Sequence, residues 1–347
     1  MSKLRPLVDC TVLLLIFGWV LHVGKDILVP AVLGAVIVYV VVGLAQAMER
    51  LPGLGGRIPA QLRYAFAVAV IVLAFAVLAY LVAANKERAL QMAPVYQESL
   101  LAAIQRIAVV AGIESEPTWA TLRHDLVAQV NLQRMLGSLL ASLSSIFVTF
   151  VVVVLYAIFL LVERRGFETK LSNLSPDPQR VARIRELIRV INRRIGSYLA
   201  LKTVLSLLLG AVCWIIMALF GLDFALLWAV LTALLNFVPY IGSALGVLLP
   251  GLMAIVQFAE LGPVVWLLVW LTVAHFLIGN FLDPYVMGNS LNLSPFAILI
   301  SLAVWSELWG VPGAFLAVPI TSIMTIILCE FSGTRPIAVL LSKSGRL

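Results

Sequence analysis

The chain has 347 residues, 62% of them hydrophobic and 12% charged, with a formal net charge of +7 and a mean hydropathy of +1.08. Ordinary soluble domains carry about a quarter charged residues, so the composition excludes a soluble globular protein and predicts an all-α polytopic membrane protein of about eight segments. It also excludes several chemistries. There is no GxxxxGK[ST] loop to hold ATP phosphates and no HExxH pair, and Cys10, Cys213 and Cys329 are odd in number and lack CxxC spacing. No enzymatic activity, metal, cofactor or nucleic-acid partner is therefore expected.

Three spans open the chain. Leu7 to Val23 follows Lys3 and Arg5 and lacks a cleavage site, so it reads as a retained first span. Lys25-Asp26 is expected to turn the chain, and Ile27 to Met48, with Pro30 in its first turn, forms the second. The Gly/Pro loop 49–63 carries Arg50, Arg57 and Arg63, which places it and the N-terminus in the cytoplasm. Tyr64 to Ala84 leads outward, so residues 1–84 form an N-terminal three-span unit.

Residues 85–140, with five basic and five acidic residues, contain no run long enough to cross and read as an extracytoplasmic helical insertion. Leu100, Ala103, Ile104 and Ile107 recur there at helical spacing. A fourth span occupies 141–162, and the cytoplasmic loop 163–202 then carries ten basic and four acidic residues. Its Val181, Ile184, Leu187 or Ile188, Ile191 and Ile195 make one apolar face of a basic amphipathic helix. That helix either lies on an anionic leaflet or packs under the bundle.

The remaining half, 203–334, contains no Lys or Arg, and a basic tail, 335–347, anchors the C-terminus inside. Two apolar stretches in this half, 224–258 and 294–328, are too long for one crossing and too short for two. Each is broken, one at Asn236-Phe237-Val238-Pro239-Tyr240-Ile241-Gly242 and the other at Gly310-Val311-Pro312-Gly313. Proline removes a backbone donor and glycine permits positive φ, so the helix must open at both. Each stretch is then either a single broken crossing or a re-entrant hairpin, and two hairpins entering from opposite faces is the favoured arrangement.

Opened backbone at membrane depth persists only where protein or a watery cavity satisfies it. Asn236, Pro239, Tyr240 and Gly242, with Gly310, Pro312 and Gly313, are accordingly the candidate substrate-binding residues, joined by Asn280 in the polar connector 279–295. The competing reading has Asn236 closing a helix end and Tyr240 anchoring at the interface. Glu307, between Trp305 and Trp309, is the first candidate for ion coupling, followed by Asp283 and His275. Asp283-Pro284 is expected to end a helix, and Ser294-Pro295 to begin the next as N-cap and first helical residue.

The segments NFVPYIG, GNFLDPYVMGNSLNLSP and GVPGAFLAVPI, within 236–319, resemble the AI-2E family of membrane proteins, the autoinducer-2 exporters or PerM-type permeases. The resemblance covers the whole layout. It implies export of a small polar molecule such as autoinducer-2 in quorum sensing, Na⁺(Li⁺)/H⁺ antiport in some members, a homo-oligomer of pentameric type, and a multi-pass place in the bacterial inner membrane.

The expected function is thus a secondary transporter exporting a small, polar, neutral solute, with ion coupling. The lack of basic residues in 203–334 weighs against a strongly anionic substrate. The alternatives are a Na⁺(Li⁺)/H⁺ antiporter, and a membrane scaffold or stress-tolerance protein recruiting partners through 163–202.

Overall fold

A computed structural model describes residues 4–49, 58–110, 132–173, 175–258, 260–287 and 291–345. Its elements are α1 (Leu4–Val23), α2 (Lys25–Glu49), α3 (Ala60–Val110), α4 (Leu132–Ser172), α5 (Pro178–Leu219), α6 (Ala225–Leu235), α7 (Ile241–Gln257), α8 (Leu261–Leu277), a π-helical turn (Ile278–Leu282), α9 (Asp283–Met287), α10 (Pro295–Glu330) and α11 (Arg335–Leu341). The all-α expectation holds for the described residues. Six stretches among them are long and apolar enough to cross a membrane: Lys25–Gln46, Ala60–Met92, Phe147–Arg164, Pro178–Leu219, Leu261–Val286 and Pro295–Glu330.

Several expected boundaries move. The turn before the second helix is made at Gly24, whose N–H donates to the Val20 carbonyl, and Lys25 and Asp26 already lie in α2. Asp26 in the first turn suits the positive end of the helix dipole. α3 continues without interruption from the third apolar stretch to Val110. Of the rest of the expected insertion, 132–140 opens α4, and 111–131 lies outside the described residues, as do most of the 49–63 loop and Gly288 to Ser290. The basic segment 163–202 is largely helical: α4 runs to Ser172, and α5 carries the chain from Pro178 into the next apolar run as one helix.

The chain divides into two compact units. The first comprises Met1–Val68, Thr149–Lys202 and Met287–Leu347. Here α10 packs on α1, α2 and α11. Small residues on α2 let neighbouring helices approach closely, as in membrane bundles generally. A Cβ on Gly34 would meet Tyr156 Cβ of α4 at 2.8 Å, and one on Gly43 would meet Ala200 Cβ of α5 at 3.2 Å. The Tyr39 hydroxyl donates to Asn192 Oδ1 at 2.6 Å, which ties α2 to the basic part of α5. Val181 and Ile195 of the predicted apolar face are buried.

The second unit comprises Ala69–Val148 and Thr203–Val286. Its core is one contiguous stripe: Leu209, Cys213 and Met217 of α5, Ala229 of α6, Ala254 of α7, and Leu267, Leu271 and Ala274 of α8. The spacing of these positions is helical, so each helix buries one face. The opposite face of α8 is apolar too, with Val265, Trp266, Val269 and Trp270 exposed. An apolar exterior over an apolar core is the pattern of a helix that meets lipid rather than water.

Candidate functional site

Both proline-glycine breaks fold back on themselves, one in each unit. In the second unit, α6 and α7 form a helix–turn–helix hairpin around Asn236 to Tyr240, packed on α8. The backbone closes the turn internally: Val238 N–H donates to the Leu235 carbonyl at 2.9 Å and Gly242 N–H to the Val238 carbonyl at 2.9 Å. Tyr240 has φ 61° and ψ −57°, and Ile241 N–H donates to the Pro239 carbonyl at 2.7 Å. This is the three-residue turn of positive φ, rare and strained for a residue with a side chain. Strain of this sort concentrates at functional sites.

Gly242 makes the turn possible. A Cβ there would stand 1.8 Å from the Leu235 carbonyl oxygen and 2.6 Å from its carbon, so only glycine fits. One turn further on, Gly246 is buried against two side chains. A Cβ at that point would lie 2.8 Å from His275 Cε1 and 3.3 Å from Thr232 Cγ2. His275, on α8, is buried, and its Nε2 has no hydrogen-bond partner among the described residues. Asn236 caps the C-terminus of α6, and its Nδ2 donates to the buried Ser206 Oγ of α5 at 3.0 Å. Asn236 thus closes a helix end and makes a side-chain bond across the unit, while the Tyr240 side chain is exposed.

In the first unit, α10 is two helical arms, 295–309 and 311–330, joined at Gly310 with φ 65° and ψ −142°. The Trp305 indole N–H donates to Thr321 Oγ1 at 3.2 Å. Sixteen residues of continuous helix would separate these positions by about 24 Å, so the second arm must double back along the first. A Cβ on Gly313 would stand 1.8 Å from the Trp305 carbonyl oxygen and 2.6 Å from its carbon, which repeats the Gly242–Leu235 contact in a different hairpin. Trp309 packs against Trp305 with ring centroids 5.1 Å apart and planes tilted by 53°, and donates its indole N–H to the Leu21 carbonyl of α1 at 2.9 Å. Pro312 is half-buried beside Gly313. Ser294 is the N-cap, accepting from the Ala297 N–H at 3.1 Å, with Pro295 following as predicted.

The other predicted residues are dispersed. Glu307 is exposed, on the opposite side of its arm from the buried Trp305 and Trp309, as an i, i+2, i+4 spacing on a helix requires. Asn280 lies in the π turn, exposed, with its Nδ2 on the Phe276 carbonyl at 3.3 Å. Asp283 and Pro284 do not end a helix. The Asp283 N–H reaches back five residues to the Ile278 carbonyl, and this widened turn lets a helical path continue through Pro284.

Three contributors went unremarked in the sequence: Ser206, Thr232 and Thr321. Ser206 and Thr232 are 2% and 1% exposed, and Thr321 accepts the Trp305 indole. The available signal was a hydroxyl within an apolar run, which at membrane depth needs a partner.

The family model described as AI-2E family transporter matches residues 11–333. The AI-2 transport protein TqsA of Escherichia coli K12 is 30% identical over 331 residues, 93% of this chain and 91% of that protein. The protein described as "Putative transport protein YhhT" of the same organism is 31% identical over 277 residues, 79% of this chain and 77% of that one. A Borreliella burgdorferi protein, also described as a transport protein of that provisional kind, is 38% identical over 195 residues, 56% of this chain and 54% of its own length. Family model and relatives agree with the helical, apolar architecture: the chain is a multi-pass membrane protein and belongs to the AI-2E transporter family.

Proposed function

We propose that the protein is a secondary transporter that exports a small, polar, uncharged solute of the autoinducer-2 kind across the bacterial inner membrane, coupled to an ion gradient. The observation that carries the reading is the pair of glycine-clasped hairpins, with a strained Tyr240 at the turn of the first. Paired interruptions of apolar helices mark solute sites in transporters. The description of TqsA as an AI-2 transport protein supports the solute class.

In this reading the hairpins are re-entrant. α6 has 11 residues and rises about 17 Å, short of the roughly 30 Å hydrocarbon core. In the second unit Asn236, Pro239, Tyr240 and Gly242 of the hairpin, with Asn280 in the π turn, contact the solute; in the first unit Gly310, Pro312 and Gly313 do so. Glu307, Asp283 and His275 couple it to the ion. Both termini face the cytoplasm, in keeping with the basic segments, and the protein works as a homo-oligomer, a pentamer by family resemblance.

The test is flux in proteoliposomes loaded with autoinducer-2 or a neutral sugar. Tyr240→Ala and Asn236→Ala should slow efflux by about tenfold or more, while Gly262→Ala, with open space around its Cα, should not. Efflux of neither solute would sink the reading. A second reading, cation/proton antiport, draws on the buried His275, whose Nε2 has no hydrogen bond among the described residues. It requires pH-dependent Na⁺ flux that His275→Gln, Glu307→Gln or Asp283→Asn removes.

A further inference from the structure

The first unit holds a cavity of about 220 Å³ between the basic part of α5, the second arm of α10 and the segment at Leu291 and Asn292. None of its lining residues belongs to the hairpin turns or to the polar side chains discussed so far as solute or ion ligands. Ser322 is the unusual member. It is 1% exposed, and its hydroxyl makes no hydrogen bond among the described residues.

Serine and threonine inside a helix ordinarily close on the carbonyl four residues back. Ser301 on the first arm does so, to Ala297 at 2.6 Å, and Thr325 on the second arm does so, to Thr321 at 2.8 Å. Ser322 does not, so a buried hydroxyl at the cavity wall keeps both its donor and its acceptor capacity. Thr325 also lines the cavity and retains lone-pair capacity on its oxygen.

Four charged side chains line the cavity, Arg183, Arg194, Glu186 and Glu330. Arg183 Nε lies 3.9 Å from Glu330 Oε1, and Glu186 is taken by Arg189. Arg183, Arg189 and Glu186 are largely exposed, so solvent screens them. The uncharged polar lining is the hydroxyls of Ser322 and Thr325 and the side chain of Asn292, beside the apolar side chains of Leu187, Val190 and Ile326. That combination suits the alternating C–H and O–H faces of a polyol. At about 30 Å³ per water, the volume corresponds to roughly seven waters, the scale of a pentose.

We propose that this cavity is a binding site for a small neutral polyhydroxylated solute, with the Ser322 hydroxyl as its buried hydrogen-bonding group. The proposal rests on the neutral-solute reading above and adds a site for that solute on the side of the chain that bears the basic helix.

Cys329 lines the cavity and serves as a native reporter. The chain has three cysteines, so Cys10→Ala with Cys213→Ala leaves Cys329 alone. Alkylation of the detergent-purified protein by N-ethylmaleimide is followed with D-ribose, with inorganic phosphate, and with neither. Ribose at twice its dissociation constant should slow labelling about threefold, as 1 + [L]/Kd requires, and should raise the melting temperature. Ser322→Ala removes no hydrogen bond and should fold and label as the parent does, but lose both ribose effects.

No ribose effect in the parent, an equal effect in Ser322→Ala, or protection by phosphate instead of ribose would each overturn the site. Solute flux in proteoliposomes without protection of Cys329 would remove this site and leave the transport reading standing. Protection without flux of any solute would do the reverse.

Discussion

Gly242 sits against Leu235 so closely that a methyl group on its Cα would stand 1.8 Å from the Leu235 carbonyl oxygen, and Gly313 stands in the same relation to Trp305. The obstacle in each case is backbone, which cannot swing aside as a side chain could. Gly242→Ala and Gly313→Ala should therefore each open their hairpin and cost about 3 kcal/mol or more, beyond the usual overpacking penalty. Thermal unfolding of the detergent-purified protein measures this, with Gly262→Ala as the neutral control. A melting temperature unchanged in Gly242→Ala would mean that the clasp does not hold the hairpin.

Tyr240 should show stability and activity moving in opposite directions. Its φ of 61° is costly for a residue with a Cβ, and strain of this type amounts to roughly 1–3 kcal/mol. Tyr240→Gly should raise the melting temperature while lowering efflux, and Tyr240→Phe should leave stability near the parent and isolate the role of the hydroxyl. A fall in stability for the glycine variant would show that the ring contributes more to packing than the turn costs.

The bond from Asn236 Nδ2 to Ser206 Oγ, at 3.0 Å, ties the first hairpin to α5. A double-mutant cycle of Asn236→Ala and Ser206→Ala should return a coupling of about 1 kcal/mol, the net worth of a neutral hydrogen bond. Strict additivity in the cycle would remove this bond from the account of the hairpin.

Gln257, the last residue of α7, closes the base of that hairpin. Its Nε2 donates to the Gly221 carbonyl at 2.8 Å and its Oε1 accepts from the Asp223 N–H at 2.7 Å. Gln257→Leu deprives two backbone groups of their partners and should cost about 1–3 kcal/mol. Gln257→Glu keeps the acceptor and loses the donor, and should fall between. Hydrogen exchange at the Asp223 amide provides a local readout, with protection lost in the leucine variant and retained in the glutamate one.

At Asp223 the sequence offers no hint of a second tether. The structure pairs its carboxylate with Arg88 of α3 at 2.8 Å, and the same guanidinium lies 5.5 Å from the Phe224 ring centroid. The pair is 60% exposed on the arginine side, so Arg88→Ala should change stability by less than about 1 kcal/mol. A thermal scan at low and high salt distinguishes this weak tether from a structural one: a drop of several degrees at both salt concentrations would overturn the assignment.

Local chemistry alone determined the membrane class, the helix breaks at Pro239 and Gly310, and the N-cap at Ser294, because hydrophobicity, a missing N–H and a capping hydroxyl act within a few residues. Where a helix stops depends on more than local chemistry: Asp283-Pro284 has the pattern of a helix end, and the π turn at Ile278–Leu282 carries the helical path through it. Only the tertiary structure decided that each break is a fold-back closed by one glycine against a carbonyl. Gly242 follows its proline by three residues and Gly313 by one, so no shared sequence pattern announces the common contact. A contact between backbones seven and eight residues apart depends on the path of the whole turn. Likewise Ser322 reads as one more small polar residue in an apolar arm until the fold buries its hydroxyl beside α5 with no hydrogen bond among the described residues.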